Sequence, residues 1–538
     1  MATRRITMLV TAALAVSISG TASANRPPDA AVDLARRCEL LAARGMVDVP
    51  HVTPCLPSAG PEAAPDTTAP GQGACRSGAA AAARCPRQVS RVGGFSSRVT
   101  GGVLLPDGGA VVRGVDYRSA SGWQLVGVRA DGGVRWTKGH RHGGLVAATE
   151  LVDGGRGVIA SGYTYVNNSY KFVVRRYDTR TGTVAWTARP PGGASPDTVG
   201  FRMALTRDRR TAIIAGYGHD DFSDVRPLVV AIDVATGRIK WSREISSEDS
   251  VGAAVYYVVI SPDGRTAYAV GDTWINGPDV FAAALDTRTG RVRWTSRVPG
   301  PDFEGVYDAV LTADGQRLVF VGEAYLPTWN ASKRLITSVD TADGEDQRRI
   351  DSPAPANSQY WWVGSAVATR SAVFAAMTSS VSVFNGVGAY AWLRAGTVAA
   401  VIAIDPAEGA VLWKAPNTPE QGGLLSDPVI TASVDGARVY VAGAEADRTL
   451  YAYAPPVAGA RHEASDIVVV ALDAESGTSV WRSAYNASPD APDGSAVAGI
   501  TATRSGVHVF AGTTPGPRYA APAAYRWDTQ GLWLVYDL

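Results

Sequence analysis

The sequence predicts an all-β fold, an eight-bladed β-propeller of four-stranded antiparallel blades, and three observations point to it. An apolar strand ending in Asp, a turn ending in Gly and a strand ending in Trp recur along the chain. A second hairpin, turning on Asp-Gly or a relative, precedes each of them. The last copy stops before its Trp-bearing strand, and a strand-like segment lies ahead of the first complete hairpin.

The first pattern is clear in five places. Asp178, Asp233, Asp286, Asp405 and Asp473 are each followed four residues later by Gly182, Gly237, Gly290, Gly409 or Gly477, and eight residues later by Trp186, Trp241, Trp294, Trp413 or Trp481. A turn that must end at positive φ selects Gly. Trp brings a large apolar area and one N–H that needs a partner. The strict register makes these Trp residues core, packed between neighbouring units. Two copies are worn: Asp131 reaches Trp136 through a shortened turn, and Asp340 with Gly344 leads to Arg348 where Trp is expected.

The second hairpin turns at Asp107-Gly108, Asp263-Gly264, Asp314-Gly315 and Asp435-Gly436, a strong hairpin signal. Weaker copies fall at Asp153-Gly154, Asp208-Arg209, Thr369-Arg370 and Arg504-Ser505-Gly506, which brings the number to eight. Two hairpins per unit make a four-stranded propeller blade. One such sheet cannot bury its faces alone, whereas a ring of them can. Leu532–Leu538 matches the strand that ends in Asp, with no outer strand after it. Residues 87–94, with Val89 and Val92, are expected to supply that strand to the eighth blade and so remove open sheet edges.

Ahead of the repeats, Arg4 and Arg5 precede an apolar stretch from Met8 to Gly20 and the small-x-small site Ala22-Ser23-Ala24. This reads as a secretory signal peptide over residues 1–24, by the general or the twin-arginine route. The mature chain is then expected to be secreted and extracellular, without a membrane span. Residues 25–86 form an Ala/Pro-rich segment that holds all four cysteines, Cys38, Cys55, Cys75 and Cys85; residues 87–538 form the propeller. An even cysteine count in an exported chain predicts two disulfides. Three pairings exist, of which Cys38–Cys55 with Cys75–Cys85 closes the shortest loops. Spacings of 17, 20 and 10 do not suit the close ligand pairs of a zinc site. Asp33 to Arg44 has the pattern of one short amphipathic helix.

A net charge of +1, from 51 basic and 50 acidic residues, leaves no basic stripe for a phosphate backbone and argues against nucleic acid as a partner. A monomer is expected.

The motif Ala-x-Asp-x-x-Thr-Gly-x-x-x-Trp, at Ala231–Trp241 and Ala284–Trp294, resembles the repeat of pyrroloquinoline-quinone-like propellers. The Ser-Pro-Asp-Gly-x-x-x-Tyr hairpin at Ser261–Tyr268 is also similar to the repeat of surface and lactonase-type propellers. The resemblance spans about residues 87 to 538 and rests on packing and turn residues. For the quinone dehydrogenases of that family it implies an adjacent cysteine pair and acidic calcium ligands. This sequence has no cysteine within its repeats and no Cys-x-x-Cys-His. Non-enzymatic members, which scaffold outer-envelope assembly, fit the same repeats.

Both tight turns of a blade lie at one end of it. The other connections open on the opposite face and differ in every unit, which makes that face the expected binding face. The ligand-binding candidates there are His219, Asp220, Asp221, Asp272, Trp274, Asn276, Trp329, Trp361, Trp362, Trp392 and Arg394. Asp224, Asp279, Tyr325, Asn330, Tyr390, Tyr451 and Tyr453 stand beside them. His219 with its aspartates suits a cation or a solvated acidic loop; the Trp and Tyr set suits a stacking platform or packing over the channel mouth. His140 and His142 have no third ligand nearby. No nucleophile elbow, phosphate loop or His-Glu-x-x-His motif occurs. The leading expectation is therefore a binding or scaffold module for an extracellular protein or glycan, with no cofactor. The alternative is an extracellular enzyme at the channel mouth, either an oxidoreductase using quinone and calcium, with carboxylates such as Asp220, Asp272 or Asp279 converging on one cation, or a lactonase-like hydrolase.

Overall fold

Each repeat folds as an up-and-down sheet because its two tight turns leave the chain no other short route back. The structure is a computed structural model. It describes residues 74–76 and 82–538, except 96–97, 116–122, 141–143, 168, 192–196, 220–224, 247–251, 274–278, 300–302, 326–331, 353–359, 384–392, 418–423, 447–464, 488–492 and 516–528. These described residues belong to one compact unit, Glu62–Leu538. The helix expected at Asp33–Arg44, and Cys38 and Cys55, lie outside them.

Eight antiparallel sheets follow one another along the chain. Blade 1 spans 98–140, blade 2 144–188, blade 3 197–244, blade 4 253–298, blade 5 303–352, blade 6 360–417 and blade 7 424–486. Blade 8 combines Asp493–Thr503, Gly506–Pro515 and Thr529–Tyr536 with Gln88–Phe95, which pairs antiparallel with Thr529–Tyr536. Blade 7 has six strands, because Ala74–Arg76 and Ala82–Ala83 both add to its outer strand Ser479–Asn486. Two- and three-residue strands leave no periodic signal, so the sequence does not reveal this extension.

The middle strands are buried on both faces and read as continuous apolar runs; Thr211–His219 in blade 3 has no exposed residue. Apolar clusters join each blade to the next. Ile213, Val229 and Ala231 of blade 3 meet Val255, Ala267 and Phe281 of blade 4. Phe510, Trp533 and Val535 of blade 8 meet Val99, Val112 and Val126 of blade 1, so the packing has no free end.

The Asp-to-Trp register explains this stitching. Asp233 Oδ1 accepts the N–H and the hydroxyl of Thr236 at 3.0 and 2.8 Å, which holds the turn. Gly237 then adopts φ +74° and lies flat against Trp186 of the preceding blade. Five of the Trp residues donate the indole N–H to the carbonyl just after the Asp position of the next blade. Trp136 reaches Thr179 at 2.9 Å, Trp186 Val234 at 3.2 Å, Trp241 Thr287 at 3.0 Å, Trp294 Thr341 at 3.1 Å and Trp413 Ala474 at 3.0 Å.

Where Trp is missing, another donor takes its register. Arg348 pairs opposite Ser338, as the Trp residues pair in other blades, and donates to the carbonyl of Ala407 in blade 6. Gln88 sits opposite Val535 and donates to Ala130 O of blade 1 at 3.0 Å. Between blades 7 and 8, Trp481 stacks on Tyr536, with centroids 5.8 Å apart, and the carbonyl of Leu538 accepts from Arg84.

Candidate functional site

The first strand of each blade packs against the first strands of its neighbours and lines the central channel. All eight carry a β-bulge at the same level, beginning after Val99, Val146, Gly200, Val255, Val306, Val363, Ser426 and Val497. A bulge leaves residues out of the ladder and re-aims their side chains. Opposite it in blades 1 to 5 the second strand carries a Gly, and a Cβ on Gly271 would sit 1.9 Å from Ala254 O; blades 6 to 8 have Met377, Ala444 and Ala511 there.

In blades 3 to 5 the bulges carry polar and aromatic groups. The bulge residues Phe201 and Tyr256 meet edge to face at 5.3 Å. The Tyr256 hydroxyl donates to Asp272 Oδ1 at 3.2 Å, and the Tyr307 hydroxyl in blade 5 to Glu323 Oε1. Asp272 and Glu323 are buried, on matching positions of second strands. Around the bulge, Arg202, Tyr257 and Asp308 form an arc across the three blades. Exposed Arg202 stands 5.8 Å from the Tyr257 ring, a cation–π distance. Asp308 accepts the N–H groups of Ala309 and of Ala366 in blade 6, both at 2.9 Å, and so links blades 5 and 6.

Burial dominates the titration of these groups. It pushes the Asp308 carboxyl up against the pull of Arg202 and of the two N–H donors, and raises the Tyr257 phenol. Arg113 in blade 1 donates to Thr100 O and Thr149 Oγ1, each at 3.1 Å. Burial, with repulsion from Arg202, brings its guanidinium down to about 9, while Glu150 opposes the shift. Burial also raises Glu150 itself, against Arg209 and Arg113. The arc thus offers one accessible guanidinium over an aromatic ring, flanked by a carboxyl whose titration burial shifts upward. That set suits a polar or anionic group more than a cation.

Sequence reasoning did not single out Arg113, Glu150, Arg202, Tyr257 or Asp308. The placing of Arg202, Tyr257 and Asp308 around the bulges is a property of backbone register, and no residue type repeats there.

The candidates read from the sequence fall in three groups. His219 and Asp272, both buried, lie on the second strands of blades 3 and 4. Trp361 and Trp362, expected in the loop entering blade 6, are instead in its first strand, Tyr360–Ala368; Arg394 is in its third strand, Leu393–Ile404. Asp220, Asp221, Trp274, Asn276, Trp329 and Trp392 lie outside the described residues.

Asp272 and Asp279 already have partners: Asp272 accepts from Tyr256, and Asp279 is paired with Arg297 at 2.7 Å. A calcium ion would have to displace both partners, and among the described residues no three His, Cys, Asp or Glu side chains gather as a metal cluster. The described donors do not fit a calcium cradle.

Bulged inner strands, Asp-capped turns and Trp-on-Gly stitches define the PQQ-like class of β-propeller. Residues 79–284 and 264–461 each match the family model described as outer membrane protein assembly factor BamB, and the chain belongs to that family. No curated protein matches the chain. Among solved structures it is similar to a quinohemoprotein alcohol dehydrogenase from Pseudomonas putida, at 13% identity over 84% of this chain and 76% of that one, with a TM-score of 0.46. It is also similar to a europium-containing methanol dehydrogenase (11% identity, 84% and 93% of the two chains, TM-score 0.45). A third is Sqt1 of Chaetomium thermophilum, bound to the N-terminus of a ribosomal protein (13% identity, 84% and 100%, TM-score 0.48).

Proposed function

We propose that this chain is a secreted binding or scaffold module that holds an extracellular protein or glycan on the face bearing its irregular connections. One observation carries the reading: the two faces of the ring differ in kind. One face is built of tight, internally hydrogen-bonded turns that repeat from blade to blade. On the other, the segments between described strands run from the single residue 168 to residues 447–464. A rigid ring presenting unequal loops is an architecture for recognition. Membership of a family described by an assembly factor supports it. So does the commitment of Asp272, Asp279 and Glu323 to partners within the chain.

Export with loss of residues 1–24, two disulfides among the four cysteines, and sealing of the ring by Gln88–Phe95 belong to the same proposal. In this reading His219, Asp272, Trp361, Trp362 and Arg394, with the loop candidates beside them, contact the ligand.

The test is capture on a glycan array and by cross-linking to secreted and envelope proteins, using the mature chain and the variant Trp361→Ala/Trp362→Ala. Capture of a defined glycan or protein, lost in the variant while its thermal unfolding is retained, is the expected result. Capture indifferent to these substitutions overturns the choice of face. A stoichiometric calcium ion with a spectral change on adding quinone overturns the binding reading in favour of an oxidoreductase.

A further inference from the structure

The near-zero net charge of this chain conceals a segregated field on the tight-turn face. Turn residues 206–210, 233–240, 261–265 and 286–293, on blades 3 and 4, carry nine arginines and lysines against four aspartates. Turn residues 312–317, 340–348, 369–372, 405–412, 433–438 and 473–480, on blades 5 to 7, carry ten acidic residues against four arginines. Blades 1, 2 and 8 are close to balance there.

The segregated groups are solvent-facing. Arg207, Arg210, Arg238, Arg265, Arg288 and Arg291 are exposed, and so are Asp314, Asp343, Glu345, Glu408, Asp435 and Glu475. None of these twelve forms an ion pair among the described residues. On the acidic half, two of the four arginines, Arg317 and Arg348, are both tied to Asp346, at 2.7 and 3.0 Å. The aspartates left on the basic half are the turn caps, such as Asp233 and Asp286. A surface selected for solubility alone intersperses its signs. A half-and-half field orients an oppositely charged surface.

The order of the blades then selects the occupant. A two-fold axis in the plane of this face, along the seam between blades 4 and 5, lays blade 4 on blade 5 of a second copy, blade 3 on blade 6 and blade 2 on blade 7. Every basic blade falls on an acidic one, which is the self-complementarity an isologous dimer requires. We infer that the tight-turn face is a docking surface for a second copy of this chain, held by charge in a face-to-face, two-fold dimer. This replaces the expectation of a monomer and leaves the irregular faces of both copies turned outward. It does not depend on the ligand proposed for those faces.

Sedimentation velocity of the mature chain tests the dimer at ~10 mM and ~1 M salt, where the screening length falls from about 30 Å to about 3 Å. A concentration-dependent dimer at low salt, weakened at least tenfold at high salt, is expected. Arg207→Glu/Arg238→Glu/Arg288→Glu turns the basic half slightly acidic beside an acidic one, and Asp343→Lys/Glu408→Lys/Glu475→Lys brings the acidic half to neutrality beside a basic one, so neither variant keeps two halves of opposite charge. Each triple variant alone should be monomeric, and an equimolar mixture should form a one-to-one heterodimer. That recovery also shows that both variants are folded. A chain that stays monomeric at low salt at every concentration overturns the inference. So does dimerisation unchanged in either variant, or a mixture that does not associate.

Discussion

Gly237 shows how much one residue decides in this fold. Its φ of +74° is one that side chains with a Cβ rarely adopt, and a Cβ there would lie 2.6 Å from Cδ2 of Trp186. Gly436 has nearly the same φ, +75°, but its Cβ would come no closer than 3.8 Å to Thr369. The pair separates backbone strain from lost packing. Gly436→Ala should cost about 1–2 kcal/mol, the conformational term alone. Gly237→Ala should cost more, about 3 kcal/mol or above, because the Trp186 ring must also move. Thermal unfolding of the two variants side by side measures this; equal losses would mean that the ring contact contributes nothing. Not every strained position kept its glycine: Arg209 holds φ +56° where blade 4 has Gly264 at +75°. This substitution is why the Asp208-Arg209 hairpin is a weak copy in the sequence.

At the scale of strands and sheets, the sequence is readable wherever one residue does a local job. Asp caps, Gly turns and Trp bridges each repeat their chemistry, so blade number and strand order follow from their spacing. The channel wall is different. Thr100, Ala147, Phe201, Tyr256 and Tyr307 share a level because of a backbone bulge, and nothing in their residue types announces it. The arc of Arg202, Tyr257 and Asp308 was therefore not legible, while His219 and Asp272 drew notice as candidates by residue type alone. Blade 8 adds a pH dependence of its own. His508, in the strand Gly506–Pro515, stacks on Trp533 at 5.9 Å and accepts its indole N–H at 3.3 Å. Burial, and then the charge of Arg87, holds this imidazole down at about 4, against 6.5 when free. The fold thus prefers the neutral ring. Its contribution is fully present above pH 6.5 and is lost as pH falls from 6.5 towards 4. Unfolding temperature should fall across that window, and His508→Gln should flatten the fall. Parallel curves for parent and variant would remove His508 as the cause.

For the molecule as a whole, stability is a sum over neighbouring blades, so a defect at one seam reaches two sheets at once. The seam that draws on the most distant parts of the chain joins blades 7, 8 and 1. There Arg84 donates to Asp537 O at 3.0 Å, Arg87 pairs with Asp537 at 3.2 Å, and Gln88 reaches Ala130 O. Val92 is fully buried among Phe510, Trp533 and Val535 of blade 8 and Val112 and Val126 of blade 1. A chain starting at residue 98 keeps every strand of blades 1 to 6 but leaves blade 8 with three strands and Thr529–Tyr536 as an open edge. A chain starting at residue 87 keeps the pairing strand and loses only what precedes it. The shorter chain should unfold at a clearly lower temperature, bind a hydrophobic dye and aggregate through the bared edge. The longer one should lose only the cover over blade 7 and the Arg84 contacts. Limited proteolysis should cut the shorter chain first near its C-terminal strand. If both chains unfold together and resist protease equally, the strand Gln88–Phe95 is dispensable and the ring is held by face-to-face packing alone.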